Sequence, residues 1–234
     1  IGISALGADF GLDAYWSGGS FMLATIWIGY FIIPRLWETG VITIPELFGR
    51  YFGQRHRTVS LFLVILRDLG VTAGTIGALT VVTTTVLKIS VLESLVLWLG
   101  VTSAYVFLGG MWAVMVTDAI QFFIILAGSI GLLIAGVAQA GGVSGLKNTF
   151  DPALLDIFGR AGVTQVLAWI VIGLAITGSY RGLIQRGFAA SSALVARRGF
   201  LYGGVIASLW YITPPLIGMI SRTIYGPDLV AEDA

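Results

Sequence analysis

The sequence predicts an all-α integral membrane protein, and three observations lead to this class. Of the 234 residues, 57% are hydrophobic and only 11% are charged, whereas a soluble domain carries about 25% charged residues. Several apolar runs reach the length of about 20 residues that an α-helix needs to cross a bilayer. The chain also has 32 glycines, and small residues allow helices to approach one another closely in lipid.

Six apolar runs follow one another along the chain, and each is close to or longer than a bilayer span. The runs cover residues 18–36, 59–87, 90–108, 112–140, 164–183 and 200–225. The run 59–87 must tilt or extend beyond the hydrocarbon. The last run is interrupted by Pro214-Pro215, and Gly109-Gly110 separates the third run from the fourth.

Residues 1–15 precede these runs, and we interpret them as the tail of an earlier span. Gly2, Gly7 and Gly11 make this stretch a poor continuous helix. We therefore expect one transmembrane domain over 1–234 that holds about six to seven spans and is incomplete at both ends.

Basic residues are divided unequally between the two sets of loops, which predicts the orientation of the chain. If the loop after the first run is cytoplasmic, that side holds Arg35, Arg50, Arg55, Arg57, Arg181, Arg186, Arg197 and Arg198. The outer side then holds only Lys88, Lys147, Arg160 and Arg222. The outer loop 141–163 is polar enough to include a short surface helix near 152–158.

The sequence offers little for catalysis, thiolate metal binding or nucleic-acid binding. It has no cysteine and a single histidine, His56, in a basic loop, so thiolate sites and histidine clusters are excluded. It contains no HExxH, P-loop or GxSxG motif. The net charge of +1 gives no reason to expect a nucleic-acid partner. We expect a multi-pass protein of the cell membrane that is not an enzyme and uses no organic cofactor.

Charged residues inside a span are costly in lipid and usually face a cavity or a partner. Arg67 and Asp68 lie well inside the run 59–87. They either contact a solute or coupling ion, or they form structural ion pairs with neighbouring helices. The same run carries hydroxyls that line a polar path or bond to their own helix, at Thr72, Thr75, Thr80, Thr83, Thr84 and Thr85.

Two further polar residues are candidates near the ends of spans. Asp118 shares one helical face with Gln121, and its carboxylate either attracts a cation or caps a helix end. Tyr180 precedes the basic end of the fifth run. It is a candidate for a gate or for an aromatic anchor at the membrane interface.

Three segments together resemble the sodium:solute symporter family, whose members carry sugars, proline, pantothenate, iodide and related solutes. The most specific is GGMWAVMVTDAIQFF at 109–123, which is similar to that family's GG-x-x-AV-x-x-TD-x-x-Q signature. TIPELFGRYFG at 43–53 and GLIQRGFAASSALVARRG at 182–199 are similar to two further family segments. The three occur in the family's order.

The resemblance implies a fold and a position within it. The fold is a five-plus-five inverted-repeat helical bundle of the leucine-transporter type, with solute and ion sites where helices break in mid-membrane. By motif position, 1–15 is the tail of core helix one, 18–140 holds core helices two to five, and 164–225 holds core helices six and seven.

The resemblance also implies site residues and a coupling ion. Sodium binds unwound backbone carbonyls of core helix one, where Ile3 is the matching position, and Asp118 lies on the ion path. Sodium is the only metal expected, and the partners are a small solute, sodium and the lipid bilayer. The implied solute pocket is lined by Gly7, Gly18, Phe21, Arg67, Asp68 and Tyr180.

The family resemblance implies sodium-coupled secondary transport of a small solute by alternating access. Gly18 and Phe21 occupy the face of core helix two where the sugar-carrying members have polar side chains, which favours a non-sugar solute. An Arg67–Asp68 pair would suit an amino acid or a carboxylate. The alternative is the transporter-like sensor region of a membrane histidine kinase.

Overall fold

The computed structural model describes residues 2–150 and 152–226, and the elements found there are helices and turns. The α-helices are α1 (Gly2–Phe10), α2 (Tyr15–Phe31), α3 (Ile33–Glu38), α4 (Ile44–Phe52), α5 (Gln54–Leu87), α6 (Val91–Gln139), α7 (Gly142–Thr149), α8 (Gly162–Ser179), α9 (Arg181–Phe188), α10 (Ala193–Trp210) and α11 (Thr213–Tyr225). Two 3₁₀ turns are Gly11–Ala14 and Pro152–Leu154. The prediction of an all-α membrane protein is confirmed.

Four described helical stretches are long and apolar enough to cross a membrane, or five if one bent pair is a single span. They are Gln54–Leu87, Val91–Gly110, Val114–Gln139 and Ala193–Tyr225, and the bent pair is Gly162–Gly178 with Gly182–Phe188. The predicted count of six to seven is higher because the run 18–36 is divided between α2 and α3. Pro34 has no N–H to donate, so the helix is interrupted just before it, and α3 begins with proline in its first turn.

The chain forms two compact units, which we call the first unit and the second unit. The second unit is Thr43–Ile124, and the first unit contains the described residues of 1–42 and 125–234. In the first unit, α2 packs against both α8 and α10, and α1 packs against α11. In the second unit, α4 packs against α5.

Close helix packing in the first unit depends on glycine. A methyl group on Gly29 of α2 would overlap Phe200 of α10.

Polar contacts also join the helices at this end of the first unit. At the cytoplasmic ends expected for α2 and α10, the Arg197 guanidinium lies 3.9 Å from the centre of the Tyr30 ring, a cation–π contact. The Trp37 indole N–H also donates to the Ala190 carbonyl at 3.0 Å.

The second unit is built from helices with defined ends. Thr43 caps α4 by accepting a hydrogen bond from the Glu46 N–H at 3.3 Å, and α5 ends at Lys88, which has a φ of 54°. Ser90 and Glu93 form a capping box at the start of α6: the Ser90 N–H donates to Glu93 Oε2 at 2.8 Å and the Glu93 N–H to Ser90 Oγ at 3.3 Å.

The break between the third and fourth runs falls where it was predicted. Gly110 has a φ of 55° and a ψ of −155°, which interrupts α6 between its two membrane-length halves. Glycine adopts this backbone conformation without the steric cost that other residues have.

The outer loop differs from its prediction. The expected surface helix near 152–158 is only the 3₁₀ turn Pro152–Leu154, and the unpredicted helix α7 precedes it. Leu154 of the turn is buried and lies against Gly11, whose φ of +81° ends α1. The turn is therefore an anchor on the α1–α2 junction and not a surface helix.

Candidate functional site

Two interrupted helices of the first unit define the candidate site. Tyr180 separates α8 from α9 with an extended backbone (φ −77°, ψ 97°), and the two segments are bent by 47°. The sequence predicted one continuous span here. Helix interruptions in a membrane leave backbone groups available to ligands.

The second interruption lies at Tyr211 and Ile212, between α10 and α11. Pro214 and Pro215 have no N–H, so the carbonyls four residues earlier, those of Trp210 and Tyr211, lose their helical donors. Proline is tolerated in the first turn of a helix, and α11 begins at Thr213 with proline at this position. The interruption expected from the proline pair is confirmed.

Tyr211, Gly18 and Ile3 come together from three elements. A methyl group on Gly18 would overlap the Tyr211 ring and the end of the Ile3 side chain. Two of the predicted site residues, Ile3 and Gly18, are thereby brought together around a tyrosine that was not predicted. Tyr180 lies at the other interruption, between α8 and α9.

Ile3 lies in the first turn of α1, where it was expected to offer a backbone carbonyl to sodium. The expected unwound backbone does not extend to Ile3, since α1 is helical from Gly2 to Phe10. A carbonyl oxygen has two lone pairs, so a helical carbonyl retains one for a hard cation. Among the described residues, no group of three His, Cys, Asp or Glu side chains is placed to hold a metal ion.

Gly7 is a packing residue in this structure. It is buried, and a methyl group on it would overlap the backbone of Pro215 at the start of α11. One turn further along the same contact, a methyl group on Gly218 would overlap the backbone of Ser4. The α1–α11 pair thus brings backbone against backbone, as small residues permit in membranes.

Phe21 takes part in the α2–α8 contact through its backbone. Its carbonyl accepts hydrogen bonds from the hydroxyls of Thr25 at 2.8 Å and Thr177 at 3.4 Å. Thr177 is buried and precedes the interruption at Tyr180. The adjacent Ser20 hydroxyl donates to the Trp169 carbonyl at 3.1 Å. These bonds fix the interrupted helix α8 against α2.

A buried carboxylate, Asp13, lies at the junction of α1 and α2. Its side chain is fully buried, Oδ2 accepts the Ala161 N–H at 2.6 Å, and Oδ1 has no hydrogen-bond partner among the described residues. Trp16 binds the same outer segment, since its indole N–H donates to the Ile157 carbonyl at 2.9 Å. The Arg222 side chain donates to the Ala8 carbonyl at 2.6 Å. These contacts hold residues 157–161 against the α1–α2 junction and α11 against α1.

Arg67, Asp68 and Asp118 belong to the second unit. Arg67 Nη1 lies 3.4 Å from Asp68 Oδ1, and both side chains are about one-third exposed. Asp118 lies inside α6, about two turns beyond the interruption at Gly110. Because an N-cap residue lies at the helix end itself, the alternative that Asp118 caps this helix is wrong.

The threonines of α5 mostly bond to their own helix. The hydroxyls of Thr75, Thr83, Thr84 and Thr85 donate to carbonyls three or four residues earlier. Thr83 also accepts the Trp98 indole N–H at 2.8 Å. Thr80 is buried, and its hydroxyl has no hydrogen-bond partner in the part of the chain that the structure describes. Hydrogen bonds within the protein therefore account for these bonded hydroxyls without a continuous polar path along α5.

Sequence reasoning missed Tyr211 and Asp13. Pro214-Pro215 marked the interruption of the last run, and this signal points to the residues just before it. Asp13 gave a weaker signal, since it is one of two acidic residues, with Asp9, in the otherwise uncharged stretch 1–34.

Together, the membrane-length helices and the interruptions at Tyr180 and Tyr211–Ile212 define a helical multi-pass membrane protein. A sequence model of the sodium:solute symporter family matches residues 1–233. The chain belongs to the sodium:solute symporter family.

Three relatives illustrate the range of the family. The chain is 28% identical to sodium/glucose cotransporter 2 of Rattus norvegicus, with 99% of this chain and 39% of the relative covered. It is 30% identical to the sodium/pantothenate symporter of Haemophilus influenzae (84% and 42% covered). It is 29% identical to sodium/myo-inositol cotransporter 2 of Mus musculus (99% and 38% covered). The chain spans about two fifths of the length of these relatives, and each of the three is named as a transporter.

Proposed function

We propose that this chain is part of a symporter that couples the inward movement of sodium to the uptake of a small solute by alternating access. Membership of the sodium:solute symporter family carries the proposal. The interruptions at Tyr180 and at Tyr211–Ile212 support it, because solute and ion sites of secondary transporters lie at discontinuous helices. The coupling is reciprocal, so sodium raises the affinity for solute and solute raises the affinity for sodium.

Sodium is the proposed coupling ion, and two residues are proposed to serve it. The Ile3 carbonyl would be one oxygen ligand, and oxygen is the donor that hard cations prefer. Asp118, inside α6 and partly accessible, would attract the cation on its path to the cytoplasm. The position of Asp118 inside its helix, about two turns from the interruption at Gly110, supports an ionic role over capping.

The proposed solute is an amino acid, a carboxylate or another non-sugar molecule. Gly18 has no side chain to offer a hydroxyl-rich solute, and its space is occupied by the Tyr211 ring. Phe21 likewise offers no polar side-chain group. Arg67 and Asp68, paired at 3.4 Å, would bind the charged ends of a zwitterion or one end of a carboxylate.

The experiment that tests the function is uptake by vesicles that contain the full-length protein. The probes are radiolabelled L-proline, pantothenate, myo-inositol and D-glucose, each measured with an inward sodium gradient and with an equal potassium gradient. We expect uptake of at least one non-sugar probe to depend on sodium. Uptake that is indifferent to the sodium gradient for every probe would contradict the proposal.

Asp118→Asn separates the ion path from a structural role of this residue. We expect sodium-dependent uptake to fall by about tenfold, a change equivalent to about 1.4 kcal/mol. Thr117→Val on the same turn is the matched control, because the Thr117 hydroxyl bonds only its own helix at Val114. Equal uptake by Asp118→Asn and the unaltered protein would remove Asp118 from the ion path.

A further inference from the structure

Tyr211 combines three properties that the proposed site residues do not share. It lies at the interruption between α10 and α11, its ring fills the space next to Gly18, and it adjoins the Ile3 side chain. We propose that Tyr211 is the specificity-determining residue of the solute site. Its ring sets the space available opposite α2, and its phenol hydroxyl binds a polar oxygen of the solute. This inference rests on the proposed function.

The space beside Gly18 is filled by two other side chains. Any side chain at this position would overlap the Tyr211 ring and the Ile3 side chain. A polar group on this face of the site therefore cannot come from α2 while Tyr211 holds its place. The α10–α11 junction can supply a polar group instead, from the Tyr211 phenol or from the buried Thr213 hydroxyl, for which no hydrogen-bond partner is found among the described residues. Of the two, Tyr211 adjoins Gly18.

Tyr15 of α2 contacts α10, and Tyr211 at the end of α10 contacts α2. The Tyr15 hydroxyl is hydrogen-bonded to Ser208 Oγ at 2.6 Å, so its bonding capacity is used within the protein. For Tyr211, no hydrogen bond of the hydroxyl is found within residues 2–150 and 152–226. A phenol hydroxyl that is not bonded within the protein can donate to or accept from a solute oxygen.

The chemistry of this contact selects a class of solute. A neutral phenol both donates and accepts. The Tyr211 phenol suits a carbonyl or carboxylate oxygen, while its ring and Ile3 suit a compact apolar body. A solute with one such oxygen next to a small apolar group is the expected ligand.

The contact with Ile3 also relates the solute to the ion. The Tyr211 ring and the Ile3 side chain flank the same space beside Gly18. A solute held by Tyr211 would therefore restrict α1 next to the carbonyl proposed for sodium. This places solute selection and ion coupling on adjoining residues.

The experiment compares Tyr211→Phe with the unaltered full-length protein. Uptake of the four probes named above is measured with an inward sodium gradient. Loss of one neutral hydrogen bond is expected to raise KM for the preferred probe by about 3- to 10-fold. The kcat and the sodium concentration for half-maximal uptake should stay within about twofold, a difference below one hydrogen bond. Tyr202→Phe is the matched control, because Tyr202 lies on α10, the helix that ends just before Tyr211, and is 66% exposed.

A second set of variants tests the shape argument without the hydroxyl. Gly18→Ala alone should strongly reduce uptake, because the added methyl group overlaps the Tyr211 ring. Gly18→Ala combined with Tyr211→Ala should recover uptake and accept probes that the unaltered protein rejects. If the double variant keeps the original order of preference among the four probes, the shape argument is wrong.

The outcomes distinguish this inference from the proposed function. If sodium-dependent uptake is normal in the unaltered protein and equally normal in Tyr211→Phe, the inference is overturned and the proposed function stands. If the unaltered protein shows no sodium-dependent uptake of any probe, the proposed function fails and the inference fails with it. A KM increase confined to Tyr211→Phe, absent from Tyr202→Phe, supports both.

Discussion

Packed glycines of the first unit and the glycines of α5 in the second unit have opposite surroundings. In the first unit, Gly7 and Gly18 lie where another helix leaves no space for a methyl group. In the second unit, a methyl group on Gly70, Gly74 or Gly77 of α5 would meet no atom within 4 Å. Correspondingly, 28% of the most apolar 18-residue stretch of Ala193–Tyr225 is buried inside the protein. The buried share of the most apolar stretch of Gln54–Leu87 is only 6%.

The difference indicates how each unit is stabilised. The first unit depends on tertiary contacts between helix backbones, since its helices α1, α8 and α10 are short or interrupted. The second unit depends on local structure, because an isolated helix is stabilised by its own hydrogen bonds, caps and propensities. In lipid, close packing is the main source of helix association, so substitutions in the first unit should have the larger effects.

Gly7→Ala should have the largest effect on folding. The new methyl group overlaps the backbone of Pro215, which cannot move as a flexible side chain can, so a cost of about 3 kcal/mol is expected. The measurement is the midpoint of thermal unfolding of the purified protein. The control is Gly74→Ala in α5, where alanine should be neutral or should stabilise the helix by up to about 1 kcal/mol. Similar losses from both substitutions would contradict the contrast between the units.

Asp13→Ala should have the next largest effect. It leaves the N–H of Ala161 without the acceptor that it has at 2.6 Å, and an unsatisfied buried donor costs about 1–3 kcal/mol. Asp13→Asn keeps one acceptor oxygen and should lose much less stability in the same unfolding measurement. If Asn is as damaging as Ala, the negative charge and not the hydrogen bond is the feature that matters.

Much of the fold follows from local sequence. The apolar runs predicted the long helices, and the glycine pair at 109–110 predicted the interruption of α6, because glycine adopts a positive φ readily. The proline pair at 214–215 predicted the junction at Tyr211–Ile212. Each of these features is produced by residues within one or two turns of it.

The remaining features depend on contacts between distant residues. Tyr180 separates two helices although neither neighbouring position holds proline, and the bonds that fix α8 run to α2, as from Thr177 to Phe21. Asp13 is buried by a segment 148 residues away. Gly18 gave no indication of Tyr211, since the two meet only when α2 packs against the end of α10. A periodic pattern in one segment does not contain such information.

Arg67→Gln and Asp68→Asn test the second unit by function more than by stability. The pair is about one-third exposed and joins adjacent residues, so its loss should cost less than about 1 kcal/mol of stability. Uptake of the preferred non-sugar probe should nevertheless fall by about tenfold in each variant, if the charges bind the solute, equivalent to about 1.4 kcal/mol. Normal uptake in both variants would assign the pair a structural role only.

Ser90→Ala should have the smallest effect, and it tests whether local structure stabilises the second unit. The substitution removes the hydroxyl that accepts the Glu93 N–H and donates to Glu93 Oε2, and loss of such a cap costs about 1 kcal/mol. Hydrogen exchange should increase at the first turn of α6 and remain unchanged in α10. Ser90→Thr preserves the cap and is the control. Faster exchange throughout the chain would mean that the start of α6 is coupled to the remaining helices, and the second unit would then depend on tertiary contacts as the first unit does.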